Sequence, residues 1–178
     1  CATTGHLKQG SAAMHPLIVP SSMPDSLPPF AEVDDTAYLP AFEYAMEEHR
    51  REIDALVAQD GPITFENTIV ALEESGTALR RVSTVFWSLI SAHASAEMRA
   101  VETDIASKLS AHRDAISMNG ELFKRIESLY QNAPELNPES QRLLERYRED
   151  YRRAGANLSS SDQEKLRVIN ARLAELST

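Results

Sequence analysis

The side chains best suited to catalysis or metal binding in this 178-residue chain belong to five histidines and one cysteine. The histidines are His6, His15, His49, His93 and His112, and no two of them lie within four positions of each other. A zinc site on a single helix needs the spacing H-E-x-x-H, which places two imidazoles on one face and a glutamate beside the metal-bound water. The sequence lacks this motif, so we predict no catalytic residue and no metal ligand within the chain.

Three of the histidines fall inside or beside predicted helices. His49 and His112 lie on apolar stripes, where a core histidine hydrogen-bonded to a neighbour is favoured over a metal ligand. His93 follows the second predicted helix, where the helix dipole favours a cation. Neither arrangement predicts catalysis.

Other catalytic signatures are missing as well. The sequence contains no G-x-S-x-G motif, no glycine-rich phosphate loop and no cysteine nucleophile paired with a histidine. The acidic and basic run EEHRRE at 47–52 could act as an acid–base cluster, but alternating charges more often mark an exposed helix face. Trp87 lies next to an apolar stripe and is interpreted as a packing residue rather than a binding platform.

The segment RLLERYREDYRRAG at 142–155 leaves two alternatives open. Its five arginines and two tyrosines could receive the carboxylate of a peptide. The alternative that we favour has Tyr147 and Tyr151, four positions apart, packing inward. The arginines would then pair on the outside with carboxylates of the same helix: Glu145, Glu149 and Asp150.

The single cysteine is residue 1, which rules out a disulfide within the chain. A polar stretch of small residues, ATTGHLKQGSAAM, follows it and is typical of the tether of a bacterial lipoprotein. We therefore predict that Cys1 is the acylated residue left after removal of a signal peptide, which would anchor the protein to a membrane on the periplasmic side of the cell envelope. The alternative is that Cys1 is only where the sequence starts and that the protein is cytoplasmic.

Composition narrows the class of protein. A formal net charge of -9 argues against nucleic acid as a partner, because phosphate binding needs clustered Lys and Arg. No apolar run approaches the roughly 20 residues of a membrane-spanning helix. Only six glycines and 6% aromatic residues, with many Ala, Glu, Arg and Leu, favour helix.

Two regions follow from the distribution of proline and of apolar residues. Residues 1–31 contain five prolines, which forbid a continuous helix, and form a predicted flexible Pro-rich leader. Residues 32–178 show helical periodicity throughout and no alternation with a period of two, so we predict an all-α fold, an antiparallel helical array.

The predicted helices have recognisable ends. The first begins at Asp34 or Asp35 and ends at Gly61–Pro62; the second begins at Thr64, with Asn67 at the third position after the cap. Gly76 interrupts the second helix, either at a kink or where another helix approaches closely. The later helices are predicted at 95–118, 122–130, about 143–154 and, with a capping box of Ser161 and Glu164, from there to the end of the sequence.

The last helix carries an apolar stripe, namely Leu166, Ile169, Leu173 and Leu176. This pattern runs into residues 177–178 without a stop signal, from which we predict that the helical domain is truncated at its C-terminal end. We expect apolar surface near Leu173 and Leu176 to be exposed in the 178-residue chain.

Six segments, in their order along the chain, resemble the N-terminal region of the thimet oligopeptidase family of zinc metallopeptidases. The segments are LPPF, YLPAFEYAMEEHRREIDAL, TFENTIVALEESG, KLSAHRDAISMNGELFKRI, RLLERYREDYRRAGANL and KLRVINARLAELST. The likeness covers about residues 27–178, and the bacterial peptidyl-dipeptidase and oligopeptidase A branches are most similar. A single piece such as FENT would be weak evidence, whereas six pieces in order are specific.

The resemblance implies a larger protein with a function that this chain alone does not carry. Members of the family are mostly helical, with two lobes flanking a channel that admits short peptides, and their zinc is held by an H-E-x-x-H helix and a later glutamate. Those residues have no matching positions here. The resemblance therefore implies a non-catalytic part of the channel wall, with short peptides and the protein's own C-terminal catalytic region as partners.

Two functional interpretations remain at this point. The first is the N-terminal part of a zinc-dependent peptidyl-dipeptidase or oligopeptidase, inactive by itself. The alternative is a stand-alone helical binding or scaffolding module, lipid-anchored if Cys1 is acylated.

Overall fold

A computed structural model describes residues 16–18, 28, 30, 33–92, 95–132 and 135–176. Within these ranges the chain is helical and contains no strand, which confirms the all-α prediction. A 3-10 turn at Asp35–Ala37 and a π-helical turn at Glu66–Val70 precede two of the α-helices. The α-helices are α1 (Tyr38–Val57), α2 (Ala71–Glu74), α3 (Thr77–Ala92), α4 (Ala96–Ser117), α5 (Gly120–Asn132), α6 (Pro138–Ala154) and α7 (Ser160–Leu176).

The chain divides into two compact units. Unit 1 comprises residues 1–48 and 76–101, and unit 2 comprises residues 49–75 and 102–178. None of the helices in the described ranges is both long enough and apolar enough to cross a membrane. The predicted division into a leader at 1–31 and a helical domain at 32–178 stays a prediction.

Unit 1 is organised around aromatic side chains. The ring of Phe86 in α3 is buried and lies 5.2 Å from that of Tyr38 and 5.4 Å from that of Phe42, measured between centroids. Leu17 and Ile18, inside the predicted leader, are also buried, and the Arg81 guanidinium donates a hydrogen bond to the Ile18 carbonyl. Part of the leader therefore packs within unit 1.

The helix starts in unit 1 follow the predicted capping chemistry. The Asp34 carboxylate accepts hydrogen bonds from the Thr36 backbone N–H and hydroxyl, each at 2.8 Å. These bonds, the backbone one above all, lower the pKa of Asp34. Ser95 caps α4 by accepting from the Met98 N–H at 3.0 Å, and its hydroxyl donates to the Asp35 carboxylate at 2.7 Å.

Unit 2 has an apolar core to which residues from α1, the π-helical turn, α2, α5 and α6 contribute. Its buried members are Ile53, Leu56, Phe65, Ile69, Leu72, Leu122, Ile126, Leu129, Leu144, Tyr151 and Ala156. The predicted start at Thr64 is confirmed: the Thr64 N–H donates to Asn67 Oδ1 at 2.9 Å, and the Asn67 N–H donates to Thr64 Oγ1 at 3.1 Å. This reciprocal pair closes the loop after α1.

The break after α2 decides between the two explanations for Gly76. Ser75 adopts an extended conformation with ψ 159°, and Gly76 has φ 66°. A positive φ suits glycine because it has no Cβ. The helix therefore stops and restarts at this point, and the interruption is a kink.

The predicted cap of the last helix is wrong by two residues. Ser159, not Ser161, precedes α7 and accepts a hydrogen bond from the Asp162 N–H at 3.2 Å. The Ser159 hydroxyl in turn donates to the Asp162 carboxylate at 2.9 Å. The expected exposure near the end of the chain is confirmed, because Leu173 and Leu176 are 56% and 68% exposed.

Candidate functional site

An open groove lies on the outer face of α6, largely within the segment 142–155 that could receive the carboxylate of a peptide. It encloses about 660 Å³. Its lining residues all belong to α6 and are Glu139, Arg142, Leu143, Glu145, Arg146, Glu149, Asp150 and Arg153. Three arginines against four carboxylates give this face a formal charge of -1.

Each arginine of the groove pairs with a carboxylate of its own helix. Arg142 contacts Glu145 at 3.4 Å, and Arg153 contacts Glu149 at 2.8 Å. The third pair, Arg146 with Asp150, is separated by 3.6 Å. Because these cations are neutralised in place, the face has no surplus positive charge to attract a carboxylate, and the predicted pairing within the helix is confirmed for these three arginines.

The two tyrosines of the same segment lie away from the groove. Tyr151 is buried in the core of unit 2, and this burial raises the pKa of its hydroxyl. Tyr147 is half-buried against the same core and donates a hydrogen bond to the Glu73 carboxylate at 2.9 Å. The prediction that both tyrosines pack inward is confirmed.

Arg148 makes a cross-helix contact that the sequence did not indicate. Its guanidinium donates two hydrogen bonds to the Glu127 carboxylate, at 2.6 Å and 3.1 Å, and lies 4.3 Å from the centre of the Tyr130 ring. The hydrogen bond from Arg148 is the main cause that lowers the pKa of Glu127. This bidentate pair holds α6 against α5, and the Arg148 guanidinium is occupied by Glu127.

The two histidines predicted to be hydrogen-bonded core residues bond to each other. His112 is buried, and its Nε2 lies 3.0 Å from Nδ1 of His49, 63 positions earlier. Nε2 of His49 lies 3.2 Å from the Ser75 hydroxyl oxygen, and that hydroxyl lies 2.7 Å from the Leu72 carbonyl. The result is a polar chain from α4 through α1 to the end of α2.

The direction of these hydrogen bonds follows from the serine. Its single hydroxyl hydrogen goes to the Leu72 carbonyl, so its oxygen accepts from His49 Nε2–H. His49 Nδ1 is then an acceptor, and His112 Nε2–H donates to it. Nδ1 of His112 is left as a bare lone pair that finds no partner within the described part of the chain.

This geometry keeps His112 neutral. Burial, followed by electrostatic interaction with His49 and Arg50, lowers the pKa of His112 from its ordinary 6.5 to about 4. A neutral imidazole held between packed helices stabilises the fold rather than exchanging protons with a substrate.

The neighbouring charges of the 47–52 run are mostly exposed, as predicted for a solvated helix face.

A buried charged residue of α5, Arg125, was not predicted from the sequence. Its Nη1 donates to the Gln59 carbonyl and its Nη2 donates to Asn67 Oδ1, both at 3.2 Å. Asn67 Nδ2 also donates to the Pro62 carbonyl at 2.9 Å. Arg125 therefore holds the loop that follows α1, through neutral acceptors.

A signal for this residue does exist in the sequence. The apolar stripe of α5 reads Leu122, Ile126 and Leu129, and Arg125 falls at its i+3 position on the same face. A charged residue at a core-facing position predicts a specific buried partner.

The described residues contain no group of three or more His, Cys, Asp or Glu side chains that could hold a metal ion. Cys1, His6, His15 and His93 lie outside the described residues, so their predicted roles stay predictions. The geometry within the described ranges is that of a helical scaffold with a neutral buried histidine pair and a salt-bridged outer face.

The chain is similar to three bacterial peptidases. The chain is 35% identical to the dipeptidyl carboxypeptidase of Escherichia coli over 167 residues, which is 93% of this chain and 24% of that protein. The dipeptidyl carboxypeptidase of Salmonella typhimurium is 34% identical over 164 residues, 91% of this chain and 24% of its own length. Oligopeptidase A of Escherichia coli is 26% identical over 159 residues, 88% of this chain and 23% of that protein.

The predicted resemblance to the N-terminal region of thimet oligopeptidase family peptidases is confirmed. No family model matches the chain. The chain spans about a quarter of the length of the relatives that it matches, 24% for the first of them. The similarity is thus that of a part to a whole.

Proposed function

We propose that this chain is the non-catalytic N-terminal helical part of a zinc-dependent peptidase that cleaves short peptides, where it contributes to the channel wall. One observation carries the proposal: 93% of the chain aligns with a dipeptidyl carboxypeptidase at 35% identity. The compact helical cores and the salt-bridged face of α6 support a role as scaffold.

The proposed zinc does not fit the residues described here. They offer no cluster of three ligands, so the metal would be held by residues elsewhere in the whole protein. The chemistry would likewise reside there, and this chain would act on the substrate only by shaping the space that a peptide can enter.

Of the two kinds of relative, we favour the peptidyl-dipeptidase, an enzyme that releases dipeptides from the C-termini of peptides. The identity to the dipeptidyl carboxypeptidase is 35%, against 26% to oligopeptidase A. The two activities differ in a way that an assay detects, because only the first depends on a free substrate carboxylate.

The decisive experiment uses the full-length protein that contains this chain and, beside it, the 178-residue chain. The substrates are one N-terminally blocked short peptide with a free carboxylate and the same peptide with a C-terminal amide as matched control. We expect the full-length protein to release a dipeptide from the free acid only, to lose activity with a chelator and to regain it with zinc.

We expect the 178-residue chain to stay at background on both substrates. Equal cleavage of the amide would favour an oligopeptidase instead. A full-length protein without hydrolytic activity would contradict the proposal and favour the stand-alone binding or scaffolding module.

We also propose that Cys1, outside the described residues, is acylated and anchors the protein at the periplasmic side of the cell envelope. The support is its position before a polar, small-residue stretch. Two or three acyl chains anchor stably where one is marginal. We expect the native protein to sediment with membranes and the Cys1→Ser variant to move to the soluble fraction. An unacylated protein with residues preceding Cys1 would contradict this and favour the cytoplasm.

A further inference from the structure

The outer surface of α7 is unusually apolar for a helix of this chain. Nine large hydrophobic side chains are exposed among the described residues, and four of them belong to α7. These four are Val168, Ile169, Leu173 and Leu176, each more than half exposed. No residue of α7 within the described range is fully buried.

Polar contacts on a neighbouring face of the helix fix the rotation of α7. Asn170 donates a hydrogen bond to the buried Asp114 carboxylate of α4 at 2.8 Å. Gln163 donates to the Met118 carbonyl at 3.1 Å and to the Gly155 carbonyl at 3.0 Å. These hydrogen bonds fix which side of α7 faces the rest of unit 2. They therefore also fix the exposed orientation of its apolar residues.

Three of the four exposed residues form one stripe. At about 100° per residue, Ile169, Leu173 and Leu176 fall within one arc beside the anchored face, whereas Val168 points to the other flank. Hereafter the α7 stripe means these three residues. Such spacing is what an amphipathic helix uses to pack against another element.

The charges around the α7 stripe are already paired within the helix. Lys165 contacts Asp162 at 2.9 Å, and Arg172 contacts Glu175 at 2.7 Å. A partner therefore gains little from opposite charge and must match the stripe by apolar contact. The outer face of α6 shows the contrast, because its groove contains only one apolar residue, Leu143.

We propose that the α7 stripe is the docking surface for the part of the same polypeptide that lies downstream of this chain. This inference rests on the proposed function, since it takes the full-length protein to be as long as its relatives, of which this chain spans 24%. The occupant would be an apolar segment of the remaining protein, and the contact would join the scaffold to the catalytic region.

The size of the surface favours a covalently linked occupant over a second copy. Stable interfaces between separate proteins bury about 800 Å² on each partner, more than three aliphatic side chains of one helix supply. A linked segment binds as an intramolecular partner at an effective concentration in the mM range, so a small apolar surface is sufficient.

The test measures thiol accessibility in the full-length protein. Leu173→Cys and, as matched control, Val168→Cys are labelled separately with a maleimide, and the labelled peptide that spans α7 is quantified by mass spectrometry. Both positions are more than half exposed in this structure and lie on the same helix. We expect the Leu173→Cys thiol to react about tenfold or more slowly than the Val168→Cys thiol, because labelling would require local opening.

Protection of the Leu173→Cys thiol that does not change with protein concentration supports the downstream segment. Protection that disappears on dilution would identify a second copy and overturn the proposal, as would equal reactivity at both positions. Peptide hydrolysis is measured on the same samples. Protection without hydrolysis rejects the proposed function and leaves the docking surface, whereas hydrolysis with equal reactivity rejects the docking surface alone.

Discussion

Replacing Arg125 with alanine is expected to lower the free energy of unfolding by about 3 kcal/mol, because two hydrogen bonds from a charged donor are lost at about 1.5 kcal/mol or more each. The Arg125 guanidinium is buried and donates to the Gln59 carbonyl and to Asn67 Oδ1. The Gln59 carbonyl lies just beyond the C-terminal end of α1, where a positive charge is also favoured by the helix dipole. Without the arginine, the loop after α1 loses its tie to α5.

Lys124→Ala is the matched control. It removes the same charge from the neighbouring position of the same helix, but Lys124 is exposed and forms a surface ion pair with Glu121 at 2.7 Å. We expect this variant to change stability by less than about 0.5 kcal/mol. Urea unfolding measures both, and hydrogen exchange of residues 62–68 should accelerate only in Arg125→Ala. Equal stability of the two variants would show that the buried bonds contribute nothing measurable.

The start of the π-helical turn and the start of α7 show what local sequence can and cannot decide. At Thr64 and Asn67 a single residue pair satisfies the capping spacing, and the structure uses it. Before α7, residues 159–161 are all serine, and both Ser159 with Asp162 and Ser161 with Glu164 have the required spacing. Ser159 forms the cap because α6 ends at Gly155 and only a short connection separates the two helices.

The apolar stripes located the core, but with an error of about one position at their edges. Phe42, Ile53 and Phe86 lie on apolar stripes at helical spacing in the sequence, and all three are buried. Leu39 belongs to the same stripe as Phe42 but is only half-buried, and the adjacent Tyr38 is buried instead. A helical stripe is wide enough to include neighbours on either side, so the packing partner decides which of them turns inward.

The polar contacts between the helices of unit 2 could not be predicted from the sequence. His49 and His112 were each predicted to be hydrogen-bonded core residues, but nothing in the sequence indicated that they would bond to each other across 63 positions. Arg125 and Asn67 are 58 positions apart. Such pairs depend on which helices become neighbours, and periodicity within one helix carries no information about that choice.

His112 makes the stability of the fold depend on pH in a predictable window. In the unfolded chain it takes up a proton near its ordinary pKa of 6.5, whereas the folded protein resists protonation until about pH 4. Between these values the unfolded state binds more protons than the folded state, so the free energy of unfolding falls as pH falls from 6.5 towards 4. Below about 4 the folded form is protonated as well, and this loss stops growing.

The expected size of this effect is about 3 kcal/mol, from a lowering of the pKa from 6.5 to about 4 at about 1.4 kcal/mol per unit. The matched variant is His112→Gln, whose amide can donate to His49 Nδ1 but cannot take up a proton. Urea unfolding at intervals from pH 7.5 to 4.5 gives the two stability curves. Other groups titrate in both proteins, so the difference between the curves reports the protonation of His112 together with its coupling to His49.

We expect the variant to be less stable than the wild type at pH 7.5, because an amide fills the imidazole site imperfectly. We expect it to lose less stability on acidification, so that the two curves converge as pH falls. Parallel curves would mean that His112 is protonated as easily in the folded protein as in the unfolded chain. The buried Nδ1 of His112, which has no hydrogen-bond partner within the described residues, would then not oppose protonation in the folded protein.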